Sequence, residues 1–233
     1  MLNNLRESLY DWRREKFGRW IIQNPQPTAA AAPYTYYLPP PEFLAALTVG
    51  DIVKLIFEGI PISKEYGAER MWVIVTERKG NDFIGTLDNN PYDIPQLKSG
   101  ESIRFNIKDI IDIDWSDETL KRRGLAMHKR RSYWERCMVD SVVVNNGIPV
   151  DFLYREDPDM GQDGDKYPDS GWRIRGDTNL MTPDQIKNES AEYIALGVVL
   201  NADDSWLHLI DEPIGSRFVK NPKTSEFEPE TED

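Results

Sequence analysis

The side chains that most often carry enzyme chemistry are scarce in this 233-residue sequence, which has two histidines and one cysteine. Nucleophilic catalysis needs a base close to a serine or cysteine, and a zinc site needs several histidine or cysteine ligands. Neither His128 nor His208 lies in a local motif of either kind, and Cys137 opens an apolar run typical of a buried strand. The sequence therefore predicts no catalytic residues, no metal site built on histidine or cysteine, no cofactor and a non-enzymatic protein.

Carboxylates are far more abundant, and five of them lie between positions 156 and 165, where the sequence reads EDPDMGQDGD. Hard cations prefer such oxygen ligands. The spacing nevertheless misses the D-x-[DN]-x-[DN]-G pattern of calcium-binding loops, and the closing glutamate is absent. A solvated acidic turn between two strands is the competing interpretation, and cation binding by this loop is left open.

Directly after the loop, the segment Asp169-Ser170-Gly171-Trp172-Arg173 joins a turn-forming glycine to a large apolar ring and two opposite charges. This combination is typical both of a tightly packed turn with a purely structural role and of a binding site. The candidate partner-binding residues predicted from the loop and this segment are Glu156, Asp157, Asp159, Asp163, Asp165, Asp169, Trp172 and Arg173.

The net charge of −12, from 40 acidic and 28 basic side chains, indicates what kind of partner to expect. Such a field repels nucleic-acid phosphates and attracts basic proteins. The sequence therefore predicts a protein partner and no nucleic acid, although an acidic composition also serves ordinary solubility.

No segment of the sequence is typical of a membrane protein. The longest apolar stretch, Ile194–Leu200, is far shorter than the roughly 20 residues of a membrane span. The first residues lack the basic and apolar regions of a signal peptide. A cytoplasmic protein without membrane contact is expected.

The patterning predicts an α+β fold with two small mixed domains, each a short antiparallel sheet with one or two helices, joined by a basic helix. The predicted organisation is an amphipathic helix and a Pro/Ala-rich linker over 1–33, an α+β domain over 34–116, the basic helix over 117–136, a second α+β domain over 137–220 and an acidic disordered tail over 221–233. The helix over 2–22 is also a candidate for pairing two copies of the chain.

Within these domains, several local predictions can be compared with a structure. Two apolar runs around Lys79–Asp82 predict a β-hairpin in the first domain. In the second domain we expect Met138–Val144 and Val150–Arg155 to form another hairpin across Asn145-Asn146-Gly147. Tyr193–Leu200 is expected to form a strand, and Asp203–Ile210 a final helix.

The first domain resembles a known family on four motifs. They are Glu69-Arg70-Met71-Trp72-Val73, Gly85-Thr86-Leu87-Asp88-Asn89-Asn90-Pro91, Leu97-Lys98-Ser99-Gly100-Glu101 and Ile110-Ile111-Asp112. In this order they resemble the YegJ-like domain of unknown function 2314, across about Tyr34 to Trp115. The resemblance implies a small bacterial α+β module without an established activity.

The second domain is similar to immunity protein family 33, also classed as domain of unknown function 2185. The motifs are Tyr154-Arg155-Glu156-Asp157-Pro158, Asp169-Ser170-Gly171-Trp172-Arg173, Gly176-Asp177 and Asp211-Glu212-Pro213-Ile214-Gly215-Ser216-Arg217-Phe218, across about Asp140 to Val219. The loop from Met160 to Tyr167 is longer than usual for that family. The resemblance implies a protein that binds and blocks a toxin.

These observations together predict a bacterial binding protein, an immunity protein whose partner is a basic toxin. The alternative is a small-molecule or peptide-binding module with its site between the two α+β domains.

Overall fold

The computed structural model describes residues 2–62, 65–119, 121, 131–161 and 164–230. The chain divides into two compact units: unit 1 consists of Met1–Ala31 and Tyr36–Arg130, and unit 2 of Ala32–Thr35 and Arg131–Asp233. Each unit has its own sheet and its own buried apolar cluster. The predicted α+β class is confirmed.

Unit 1 is built on an antiparallel sheet with the strand order β1-β2-β3-β4-β5, and β6 also pairs with β2. The strands are β1 (Arg19–Ile22), β2 (Ile52–Ile60), β3 (Glu69–Lys79), β4 (Asp82–Leu87), β5 (Ser102–Asn106) and β6 (Asp112–Asp114), and the helices are α1 (Leu2–Phe17), α2 (Gln26–Ala31) and α3 (Pro41–Ala46). The hairpin predicted around Lys79–Asp82 is confirmed as β3-β4.

The N-terminal segment departs from the single helix predicted over 2–22. Helix α1 ends at Phe17, and Arg19–Ile22 forms the strand β1, paired with Phe57–Ile60. The change follows from the apolar spacing, because Trp20 and Ile22 are two residues apart and both pack against the core of unit 1. Helical spacing would place them on different faces.

Helix α1 is fastened to unit 1 by a buried arginine. Arg14 donates to the Asp93 carboxylate at 2.9 Å and to the Asp93 carbonyl at 2.5 Å. Glu69 in turn accepts from the backbone N–H groups of Tyr92 and Asp93, at 2.7 and 2.8 Å. Leu9 and Trp12 of α1 are exposed, and pairing of two copies through this segment stays a prediction.

Unit 2 has a six-stranded sheet with the order β10-β7-β9-β8-β11-β12. Its strands are β7 (Arg136–Asp140), β8 (Val150–Arg155), β9 (Asp169–Gly176), β10 (Ala191–Ala195), β11 (Arg217–Lys220) and β12 (Phe227–Pro229), and its helices are α4 (Ser141–Asn146), α5 (Pro183–Lys187) and α6 (Leu196–Ala202). The capped start of α5 at Thr182-Pro183 agrees with its sequence.

The antiparallel sheet predicted for unit 2 is found at every strand pair described except one, because β7 and β9 pair in parallel. The hairpin predicted from Met138–Val144 and Val150–Arg155 is absent, because β9 lies between β7 and β8 in the sheet. The intervening residues form helix α4, whose adjacent Val142 and Val143 are both buried, and Gly147 ends the helix with a φ of 67°. Two adjacent buried side chains fit a helix packed on the core better than a half-buried strand.

Three further predictions for the second half need correction. The strand β10 ends at Ala195 and Leu196–Ala202 forms α6, because Leu196, Val199 and Leu200 meet the core at helical spacing. The predicted last helix is a 3₁₀ turn over Leu207–Leu209. The tail predicted to be disordered contains β12, which pairs with β11.

Half of the basic helix predicted over 117–136 falls outside the described residues, as does His128. Residues 131–135 are not helical, and β7 begins at Arg136. Lys121 pairs with Asp114 at 3.0 Å, and Arg131 with Asp211, which places these cations beside carboxylates.

Among the described residues, no helix combines the length and the apolar character that crossing a membrane requires.

Candidate partner-binding site

The site in unit 2 begins at a turn that only glycine accommodates. Gly171 has a φ of 79°, and a Cβ atom there would lie 2.1 Å from the carbonyl oxygen of Glu156. The Glu156 N–H donates to the Gly171 carbonyl at 3.0 Å, so the end of β8 is held against the start of β9. This close approach positions the acidic loop that follows Glu156.

Arg173, buried in the next part of β9, binds three carboxylates at once. Its guanidinium donates to Glu156 at 2.5 Å, to Asp159 at 2.6 Å and to both oxygens of Asp169 at 3.0 and 3.1 Å. The side chain of Asp169 is only 1% exposed, whereas that of Asp159 is 69% exposed. One buried cation therefore ties an exposed loop to the interior.

The charged states of this cluster are mutually stabilised. Burial opposes ionisation of Asp169, but hydrogen bonds from Arg173 and from the backbone of Gly171 and Met160 lower its pKa below the usual value. Burial likewise opposes the charge on Arg173, and its bonds to Asp169 and Glu156 raise its pKa. Both groups remain ionised around neutral pH.

The same cluster fixes the backbone of the acidic loop. The N–H groups of Asp159 and Met160 each lie 3.2 Å from an Asp169 oxygen. Asp157, Asp159 and Asp165 are exposed. The loop thus presents carboxylates to solvent from an anchored backbone, which lowers the entropic cost of binding a partner.

Trp172 supports the site from below. Its ring is fully buried, packs 6.0 Å from the ring of Trp206 and donates from Nε1 to the Ile210 carbonyl at 3.2 Å. The sequence-based suggestion that Trp172 contacts a partner is corrected, because a fully buried ring offers no surface to another protein. Arg173 is also buried and acts through the carboxylates that it holds.

Arg155 was not singled out from the sequence, yet it joins the motifs of the second half. It donates to the carbonyls of Ser170 and Glu212, at 3.0 and 2.7 Å, and lies 5.7 Å from the Trp172 ring. The end of β8, the start of β9 and the turn before β11 meet at this side chain. Its place inside the Tyr154–Pro158 motif was the signal that could have identified it.

The structure thus brings together four of the predicted site residues: Glu156, Asp159, Asp169 and Arg173. Asp157 and Asp165 lie on the exposed loop beside them, and Asp163 lies outside the described residues. Among the described residues no three side chains form a metal-binding group. The carboxylates around Arg173 bind its guanidinium.

The two units differ in net charge. Unit 1 contains 18 basic and 18 acidic side chains, whereas unit 2 contains 10 basic and 22 acidic side chains. The whole net charge of −12 therefore belongs to unit 2, the unit that carries the anchored acidic loop.

Two family models match the chain, one in each unit. Residues 44–128 match an uncharacterised bacterial family, DUF2314. Residues 137–229 match the immunity protein Imm33 domain. Both resemblances found in the sequence motifs are confirmed. The Imm33 match contains Arg155, the anchored loop and Arg173, so all the geometry described above lies within it. No curated protein and no solved structure matches the chain.

Proposed function

We propose that the Imm33 region of unit 2 binds a basic protein toxin and neutralises it. The observation that carries the proposal is the anchored acidic loop, in which Arg173 and Asp169 hold exposed carboxylates in the unit that bears all the excess negative charge. The chain acts as a binding protein rather than an enzyme, because the site offers fixed charge and shape. Its place of action is the cytoplasm.

Electrostatics gives this proposal a physical mechanism. A surface whose charges have one sign attracts an oppositely charged partner over roughly the Debye length, about 8 Å at physiological ionic strength. The partner's lysines and arginines would then pair with Asp157, Asp159 and Asp165. Because Arg173 already fixes the loop, little further ordering is needed on binding. A toxin that acts on nucleic acid would have a basic surface of this kind.

The test is affinity capture with the full chain from an extract of its own cells, at low and at high salt. We expect one basic protein at low salt, less of it at high salt, and toxicity that is relieved when the chain is co-expressed. Capture of no such protein, or toxicity that the chain does not relieve, would contradict the proposal.

A matched pair of variants then tests the role of unit 2. Asp157→Lys changes an exposed carboxylate of the loop, and Glu42→Lys makes the same change on α3 of unit 1. We expect Asp157→Lys to slow association by roughly tenfold at low salt, since loss of steering acts mainly on the association rate. Equal effects of the two variants on the association rate would show that the loop has no special role in attracting the partner.

A second candidate function belongs to unit 1 and rests on a groove of about 400 Å³. Phe43 and Trp115 lie edge to face in its wall, 5.8 Å apart, and Asp112 and Asp114 lie on its border. Apolar walls with a few polar groups are typical of sites for small molecules or peptides. Thermal shift of the full chain with a metabolite and peptide library tests this function, and a flat screen would argue against it.

A further inference from the structure

The sheet of unit 2 has one face directed to its core and a second face that lies towards solvent. Trp172, Ile174 and Leu153 point into the buried cluster, together with Val199 and Leu200 of helix α6. Side chains alternate along a strand, so the intervening residues lie on the opposite side. We call this side the open face and define it by six residues: Phe152, Tyr154, Arg173, Arg175, Arg217 and Val219. Arg173 is buried, and the other five are at least partly exposed.

The strand register aligns these residues across three neighbouring strands. Tyr154 on β8 is the partner of Arg173 on β9 and of Arg217 on β11. Phe152 is likewise the partner of Arg175 and of Val219. Because directly opposed residues point to the same face, two rows of aromatic, aliphatic and guanidinium groups cross the sheet.

The centre of the open face is an aromatic pair covered by a cation. The rings of Phe152 and Tyr154 are 5.6 Å apart, and the Arg217 guanidinium lies 5.3 and 5.4 Å from them. Val219 beside them is 39% exposed. Aromatic residues and arginine are enriched at the energetic centres of protein interfaces.

The rim of the open face is acidic, although its rows contain arginines. Each arginine is already bound to carboxylates of its own unit, Arg173 to three, Arg175 to Asp140 at 2.6 Å and Arg217 to Glu230. Five carboxylates thus neutralise three guanidinium groups. The exposed Asp157 and Glu228 add further negative charge on the loop and on β12.

This charge pattern decides between possible occupants. Nucleic-acid phosphates would be repelled by the rim, and a second copy of the chain would bring two acidic rims and two units of net charge −12 together. A basic protein with apolar side chains amid its lysines and arginines complements both the centre and the rim.

We infer that the open face is the docking surface for the basic toxin. Phe152, Tyr154 and Val219 contact apolar side chains of the toxin, and the acidic loop and β12 contact its lysines and arginines. This inference rests on the proposed function, and it adds the residues that supply affinity once the charges have steered the partner into place.

Two valines with almost equal exposure provide the test. Val219 is 39% exposed on the open face, and Val198 is 40% exposed on helix α6, which packs against the other side of the sheet. Val219→Arg and Val198→Arg are prepared in the full chain. Binding is measured with the basic protein that affinity capture recovers and toxicity identifies.

We expect Val219→Arg to weaken binding at least about 30-fold, since a charge is forced into the apolar centre of an interface. Val198→Arg is expected to bind within about twofold of the parent chain, as changes outside an interface usually do. Phe152→Ala is expected to weaken binding about tenfold or more. Resistance of Cys137 to thiol reagents verifies that each variant is folded.

The outcomes separate this inference from the proposed function. Equal affinity of both valine variants, together with weaker binding by Asp157→Lys, would overturn the open face and leave toxin binding through the loop. A free chain that is a dimer and becomes monomeric through Val219→Arg would assign the face to a second copy and overturn the inference. Capture of no basic toxin would overturn both.

Discussion

Buried charge serves different purposes in the two units. In unit 1, Arg14 and Asp51 hold backbone segments in place: Arg14 fastens α1, and Asp51 accepts from Thr48 and Ser116. In unit 2, Arg173 and Asp169 hold a loop on which Asp157 and Asp165 are exposed. Unit 1 is electrically neutral and unit 2 carries the charge of −12. The buried ions of unit 1 thus hold backbone segments, whereas those of unit 2 hold an exposed acidic loop, which under the proposed function is where the partner binds.

The largest effect is expected from Arg173→Met. Loss of the guanidinium leaves Asp169 charged and buried without its partner, at a cost of about 3–5 kcal/mol. Cys137 is the one cysteine of the chain and is fully buried in unit 2, where burial raises the pKa of its thiol. The rate of its labelling therefore measures the opening of unit 2 alone, and we expect a large increase. Arg104→Met, on the exposed side of β5 in unit 1, is the control. Unchanged labelling in Arg173→Met would contradict the role of the cluster.

Gly171→Ala tests the turn at the site. Left-handed backbone strain adds about 1–3 kcal/mol, and the new methyl group would also meet the Glu156 carbonyl at 2.1 Å. Gly100→Ala in unit 1 is a matched control, because its φ of 89° imposes similar strain with no atom within 4 Å. Chemical unfolding should show the larger loss for Gly171→Ala. Equal losses in the free energy of unfolding would mean that the close approach of β8 and β9 adds nothing to the cost of the substitution.

Asp51→Ala makes the corresponding change in unit 1. The Thr48 and Ser116 N–H groups, 2.8 and 3.0 Å from the carboxylate, would lose their acceptor. We expect destabilisation of about 1–3 kcal/mol from the loss of these two partly buried hydrogen bonds, since each contributes roughly 0.5–1.5 kcal/mol. Labelling of Cys137 should stay unchanged while the tryptophan-detected unfolding of unit 1 shifts. Faster labelling would show that the two units unfold together.

A smaller effect is expected from pH. Burial opposes ionisation of Asp203, but the hydrogen bonds from Ser205 and Val150 lower its pKa. A lowered folded pKa contributes stability above the unfolded value of about 3.9, and this stability is lost as the pH falls through the folded pKa. Unfolding of Asp203→Asn between pH 6 and pH 3 should therefore depend less on pH than that of the parent. An identical pH dependence would contradict this contribution.

The sequence predicted the parts of the fold that local patterns determine. Alternating apolar residues on either side of Lys79–Asp82 identified the β3-β4 hairpin. Insertion of β9 between β7 and β8 could not be predicted, because strand order depends on contacts between distant segments. The short helices α4 and α6 were assigned to strands since brief apolar runs fit either structure.

The sequence identified most residues of the candidate site but not how they are arranged in space. The acidic residues and Arg173 were identified from charge and motif, and four of them meet in space. Burial of Trp172 and the supporting role of Arg155 depend on the core that forms beneath them. The open face was missed because Phe152 and Tyr154, which alternate with the buried Leu153, indicate a surface only after the neighbouring strands are known.

The short strand β1 has a consequence for dividing the chain. It pairs with Phe57–Ile60, yet it precedes residue 44, where the match to the uncharacterised bacterial family begins. A gene fragment cut at that match would leave the backbone N–H and C=O groups of this part of β2 without β1. Exposed strand edges recruit other chains, so such a fragment should precipitate during expression. Gene fusions and truncations that retain the first 31 residues should remain dispersed.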